Sequence, residues 1–217
     1  MELYIGNKNY SSWSLRPWLL TDKYGLKLKE VRLDLGSEAF SKQVSVVSPT
    51  CKVPTLVDGE LVVWESLSIC EYINEAYLSG AAWPKSTGLR AQARALSAEM
   101  HSGFNALRAA MPMNVKAKRH IVISETVEKD IRRIEQIFAE QYRKHCKSGG
   151  WLFGEWSIAD AMFAPVLLRF QTYNVNLNEE ASEYVNHGLS CPSLQKWCAM
   201  AELEQEIVTG NEVGKPA

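Results

Sequence analysis

The hydrophobic period of this chain changes once, at a stretch rich in Gly, Pro and Ser, residues 79–88 (SGAAWPKSTG). Upstream, strand and helix signals alternate. Residues 2–6 (ELYIG) read as a short strand, and Leu15 to Tyr24 as a helix with Pro17 in its first turn. Val31, Leu33 and Leu35 alternate with polar residues, as strands do. Glu38 to Val44 reads as a helix that ends before Ser48-Pro49. Two short strands, Thr55–Val57 and Leu61–Trp64, flank Asp58-Gly59, a hairpin signal, and Ile69, Cys70, Ile73, Ala76 and Tyr77 mark one face of a further helix. Downstream every periodic segment is helical. Leu89, Ala93, Leu96, Met100, Phe104, Leu107 and Met111 form one stripe that predicts a single long helix, and Val127, Ile131, Ile134, Phe138 and Tyr142 form another. The pattern predicts an α/β unit over 1–79, a linker over 80–87 and an all-α unit over 88–217.

Bulk properties narrow the function. The chain has 217 residues, with 24 basic against 25 acidic side chains and 46% hydrophobic residues. Such a balance gives no electrostatic footprint for nucleic acid or an anionic membrane surface. No apolar run is long enough to span a bilayer, and MELYIGNKNY lacks the basic-then-apolar order of a signal peptide. Five cysteines, odd in number and without a C-x-x-C, suit free thiols in a reducing cytoplasm. His101, His120, His145 and His187 show neither metal-ligand spacing nor a paired acid, so no metal is expected.

Three local features can carry chemistry. Val53-Pro54 precedes a strand, where a proline marks an edge, a bulge or a cis bond; a cis bond would turn the Val53 amide and carbonyl outward. Glu65-Ser66 joins a strand to a helix: Ser66 suits an N-cap, the helix terminus suits a carboxylate, and Glu65 suits an ammonium. Tyr10-Ser11-Ser12-Trp13-Ser14 places hydroxyls at the first helix N-terminus, where a bound thiol would be acidified. Each has a plainer reading on pattern alone: a trans proline, a solvated glutamate beside an ordinary cap, and serines that only cap.

The string from Lys52 to Ile73, K-V-P-T-L-V-D-G-x-L-x-x-W-E-S-x-S-I-C-E-Y-I, closely resembles the glutathione site of cytosolic glutathione transferases. Ser11-Ser12-x-Ser14-x-Arg16 resembles the active-site loop of the serine-containing classes, most of all the zeta (maleylacetoacetate isomerase) class. Gly154-x-x-Ser157-Ile158-Ala159-Asp160 resembles the capping box of the family's helical domain, in which Asp160 reaches back to the Ser157 amide. The resemblance runs from Met1 to about Leu203. It implies a thioredoxin-like domain followed by an all-α domain, glutathione as co-substrate, a small hydrophobic electrophile as acceptor, a role in detoxification, and a homodimer. It further implies that Val53 meets the cysteinyl backbone, that Glu65 and Ser66 hold the γ-glutamyl end, and that Lys52 takes the glycyl carboxylate. Ser11 becomes the thiolate-stabilising hydroxyl, with Ser12 second and Tyr10 weaker. Trp13, Phe104 and Arg108 become the electrophile pocket, and Arg16 either adds positive field to the site or forms a salt bridge to the helical domain, the second being preferred. One departure counts against the zeta reaction: where that pattern has a cysteine, this chain has Trp13. The pattern also disfavours a thiol-disulfide oxidoreductase, because no cysteine precedes Cys51. A non-catalytic binding module remains the rival, since binding glutathione is not turning it over.

Overall fold

The structure, a computed structural model, describes residues 1–217. Its first part runs β1 (Glu2–Ile5), α1 (Ser12–Lys23), β2 (Lys29–Arg32), α2 (Glu38–Val47), β3 (Thr55–Asp58), β4 (Leu61–Trp64) and α3 (Ser66–Leu78). The strands form one sheet in the order β2-β1-β3-β4, with β1 parallel to β2 and antiparallel to β3. Leu3 pairs with Leu56 in register, and Leu3, Ile5 and Leu56 are fully buried, so strand alternation feeds the core. The β3–β4 hairpin turns at Gly59, whose φ of +60° suits glycine. The Val53-Pro54 peptide bond is cis, the reading that pattern alone does not favour and that the family resemblance supports.

Two local expectations shift. Helix α1 begins at Ser12, so Pro17 is its sixth residue and lies beyond the first turn. Strand β2 ends at Arg32, so Leu35 leaves the sheet; its side chain lies over Gly6, where a Cβ would stand 2.7 Å from Leu35 Cδ1.

The second part runs α4 (Thr87–Ser102), α5 (Asn105–Ala110), β5 (Arg119–His120), α6 (Glu125–His145), α7 (Ile158–Thr172), α8 (Glu179–Leu189), α9 (Pro192–Glu202) and β6 (Lys215–Pro216). The single long helix predicted from Leu89 to Met111 is two helices. The break falls at Gly103-Phe104, where Phe104 adopts the left-handed conformation with φ 56° and ψ 38°. Met100, Phe104, Leu107 and Met111 are all buried, so spacing by fours and threes survives a break that periodicity cannot register. Helix α6 follows its sequence closely. Ser124 caps it, Glu125 and Glu128 occupy the first turn, and Arg143 and Lys144 occupy the last, each charge matched to the helix dipole.

Helix α7 is buried along nearly its whole length and packs against α1, α4 and α8, joining the two parts through one continuous apolar core. Its capping box forms as predicted. The Asp160 carboxylate accepts from the Ser157 amide (2.9 Å), the Ser157 hydroxyl, the Leu152 amide (3.0 Å) and the Tyr184 hydroxyl (3.0 Å). Burial pushes this carboxyl up to about 6 from its ordinary 3.8, against those four donors. Its contribution to stability is therefore full below the unfolded value and declines as pH rises through about 6. Asp160→Asn is expected to remove that slope and to lower stability at pH 7 by about 1–2 kcal/mol, since an NH₂ would face two donors. Urea unfolding of both proteins between pH 4 and 8 checks this.

Candidate functional site

The C-terminal residues beyond α9 fold back onto the loop between β1 and α1. The Glu204 carboxylate accepts from the Lys8 (2.8 Å) and Asn9 (3.0 Å) amides, and Trp197 Nε1 donates to the Lys8 carbonyl. Glu212 accepts from Tyr10 Oη (2.7 Å), Asn114 Nδ2 (2.9 Å) and Arg119. These bonds fix the loop that carries the serines. In front of it lies a cleft of two adjoining lobes, of about 640 and 230 Å³, between the sheet unit and helices α4 and α5. Trp13, Lys52, Val53 and Arg108 line both.

Ser11 immediately precedes α1 and caps nothing with its side chain. Its Oγ lies 2.6 Å from Ser14 Oγ, which in turn accepts the Gly6 amide at 3.2 Å. Ser14 is fully buried and has no other partner, so its proton goes to Ser11. The Ser11 proton then faces the cleft. Ser12 is arranged alike: its Oγ accepts from Arg169 Nη2 at 3.1 Å, which turns its own proton away from the guanidinium. Both hydroxyls line the larger lobe with Tyr10, whose hydroxyl is already committed to Glu212.

The smaller lobe gathers the other predicted residues. Val53 lies just before the β3 ladder, which starts at Thr55, and its amide and carbonyl have no hydrogen-bond partner within the chain. Ser66 is not the N-cap that the sequence suggests. It is the first residue of α3, Glu65 precedes it, and the Ser66 hydroxyl is buried without a partner. Glu65 adopts φ 67° and ψ 126°, a conformation that costs a non-glycine residue about 1–3 kcal/mol. His101, which the sequence marked as structural and without a paired acid, lies here too. Its Nε2 is 3.5 Å from Glu65 Oε2 and its ring meets Trp13 edge-on at 5.2 Å. Burial lowers the His101 pKa more than Glu65 raises it, so the imidazole is neutral at pH 7 and leaves the carboxylate its charge.

Trp13 stands between two guanidinium groups, Arg16 at 3.9 Å and Arg108 at 4.9 Å from the ring centroid. The salt bridge expected of Arg16 is absent. Arg16 is fully buried, its Nε donates to the Met162 carbonyl (3.0 Å), and its Nη1 has no partner. It does reach the helical part, through a carbonyl rather than a carboxylate. Phe104 is also corrected: it is 7% exposed, belongs to the apolar core and lines neither lobe, because its left-handed backbone turns it inward. Arg169 joins the site without a motif to mark it, although an arginine inside the apolar run VLLRF is a visible signal. It is 5% exposed and donates to the Arg108 and Met111 carbonyls as well as to Ser12. No sequence signal distinguishes His101, which the last turn of α4 brings to the cleft.

The family model of the glutathione S-transferase N-terminal domain matches residues 10–76, and that of the C-terminal domain matches residues 90–199. The chain belongs to the glutathione S-transferase family. Its fold, a mixed thioredoxin-like sheet followed by a helical part, is that of the glutathione transferases. A probable maleylacetoacetate isomerase of Caenorhabditis elegans is 28% identical over 177 residues, covering 81% of each chain. A stringent starvation protein A homologue of Pasteurella multocida is 24% identical, over 77% of this chain and 81% of that one. Among solved structures, a glutathione transferase homologue from Burkholderia gl BGR1 with bound glutathione superposes with a TM-score of 0.70 at 25% identity. The match covers 93% of this transferase-family chain and 97% of the other.

Proposed function

We propose that this protein is a glutathione transferase that activates the glutathione thiol in the cleft and transfers the thiolate sulfur to a small electrophile. The observation that carries the reading is Ser66. Its buried hydroxyl is unpartnered at the head of α3, beside the Glu65 carboxylate and near the unpaired backbone of Val53. A γ-glutamyl group offers the complement of this set: a carboxylate for the helix terminus and Ser66, an ammonium for Glu65, and an extended peptide for Val53. Lys52 is suited to the glycyl carboxylate. Glutathione so placed puts its sulfur by the Ser11 proton, with Ser12 and Arg169 adding positive field. The thiolate then attacks the electrophilic carbon, and holding both reactants in one cleft lowers the barrier further.

The unit over 1–79 binds glutathione and the unit over 88–217 completes the acceptor site. Five free cysteines suit work in a reducing cytoplasm. By family analogy the active form is a homodimer, with the first domain of one chain against the helical domain of the other. Light scattering at micromolar concentration is expected to give twice the chain mass.

A second reading, a glutathione-dependent isomerase, has the Caenorhabditis elegans relative in its favour. Trp13, held between two arginines where the zeta pattern has a cysteine, counts against it. Calorimetric titration of the purified protein with glutathione tests the shared premise, and turnover of a panel of electrophiles then separates conjugation from isomerisation. Saturable binding is expected, and no heat at millimolar glutathione would defeat both readings.

A further inference from the structure

We infer that the electrophile carries a carboxylate, held by Arg108; this rests on the glutathione transferase reading above. The larger lobe contains Lys52, Arg108 and Arg169 and no acidic side chain. Arg16 adds a fourth cation behind Trp13, and Glu65 in the smaller lobe is the one carboxylate of the cleft. Bound glutathione accounts for part of this excess. Lys52 takes the glycyl carboxylate, Arg169 acts through Ser12 on the thiolate, and Glu65 takes the ammonium. Arg108 remains without a counterion. Burial disfavours the protonated guanidinium and the charge of Asp130 offsets this only in part; Asp130, whose carboxylate accepts the Leu107 amide at 3.0 Å, forms no ion pair with it.

The geometry of Arg108 fits this role. Its Nη1 donates to the carbonyls of His101 (3.2 Å) and Gly103 (2.9 Å), the carbonyls that the break after α4 leaves open. Those two bonds fix the plane of the guanidinium. Nε and Nη2 have no partner, and they form the side-on pair that matches the two oxygens of a planar carboxylate. Half-buried and lining both lobes, the group meets an acceptor laid along the apolar wall of Tyr10, Trp13, Phe40, Pro112 and Met113. A neutral hydrophobic acceptor would leave a half-desolvated cation unpaired, and a carboxylate at one end of an apolar body relieves it.

The test compares 4-chloro-3-nitrobenzoate with its methyl ester, which share ring and leaving group. In both, the thiol proton has gone to solvent, the sulfur–carbon bond forms at the ring carbon, and chloride leaves with the electron pair of the broken bond. Each kcat/KM is divided by its uncatalysed rate constant to remove the electronic difference. The acid is expected to exceed the ester by about tenfold or more, equivalent to about 1.4 kcal/mol. Arg108→Gln should bring the ratio to about one, and Arg108→Lys should keep an intermediate ratio. Calorimetric binding of the two glutathione conjugates reads the same preference without turnover. A wild-type ratio of one or below, or a ratio unchanged in Arg108→Gln, overturns the inference. Glutathione binding without any preference for the acid conjugate overturns it alone; absence of glutathione binding overturns it together with the proposed function.

Discussion

Ser11→Ala is expected to lower the rate of glutathione conjugation by about 10–100-fold while glutathione affinity stays nearly unchanged. A free cysteine thiol ionises near ~8.5, so a neutral-pH transferase must favour the anion, and each unit of depression corresponds to about 1.4 kcal/mol. One hydroxyl donor with the helix terminus can supply about one to two such units. Ser11 is placed for this because Ser14, itself held by the Gly6 amide, spends its proton on Ser11 and frees the Ser11 proton for the cleft. The substitution acts on ionisation and leaves the grip on the peptide in place. The apparent pKa of the bound thiol, read from the pH dependence of single-turnover rates, should therefore rise by about one to two units. Ser12→Ala should have the smaller effect, since Arg169 remains. A larger effect from Ser12→Ala or Tyr10→Phe would move the assignment within the loop.

Ser14→Ala separates this arrangement from a capping role. If Ser14 orients Ser11, its loss shifts the thiol pKa upward as Ser11→Ala does, to a smaller extent. If the serines only hold the start of α1, stability falls and the pH–rate profile does not move.

Features that depend on short stretches of chain were legible before the fold was known. The β3–β4 hairpin followed from Asp58-Gly59 between apolar runs, and α6 from the spacing of Val127, Ile131, Ile134, Phe138 and Tyr142. The capping box at Ser157 and Asp160 and the cis bond at Val53-Pro54 were within reach only with the family resemblance beside the local pattern. What stayed hidden depends on distant contacts. Phe104 kept the apolar period of its helix and so read as a continuation, while its backbone reverses and sends it to the core. Arg16 had no acid to find, only the Met162 carbonyl 146 residues away. His101 pairs with Glu65 across the cleft, a meeting set by the packing of α4 against α3. The capping pattern points to Ser66, one position late, because Glu65, in a strained conformation that propensity disfavours, precedes it in that role.

That one-position difference changes what is expected of Glu65 and Ser66. Were Ser66 the N-cap, its hydroxyl would accept a backbone amide and be spent. Instead it is buried and free, which costs the isolated protein and suits a ligand carboxylate. Glu65→Gln keeps the shape and removes the charge, so it should weaken glutathione binding by about 1.5–3 kcal/mol, the range of a hydrogen bond to a charged group. His101, neutral at pH 7, can offer the ammonium a lone pair but no negative charge, so it cannot replace the lost pairing. Ser66→Ala should cost less in binding, since the α3 amides still face the carboxylate. Its effect on stability should be small or favourable, because an unpaired buried hydroxyl disappears. The capping role predicts the reverse: Ser66→Ala would lower stability by about 1 kcal/mol and Glu65→Gln would leave glutathione affinity untouched. Titration of both variants with glutathione and with its deaminated analogue, alongside thermal unfolding, separates the two. The analogue lacks the ammonium, so it should bind wild type and Glu65→Gln with similar affinity. A full wild-type preference for glutathione over the analogue in Glu65→Gln would remove Glu65 from the site and leave the ammonium to another group.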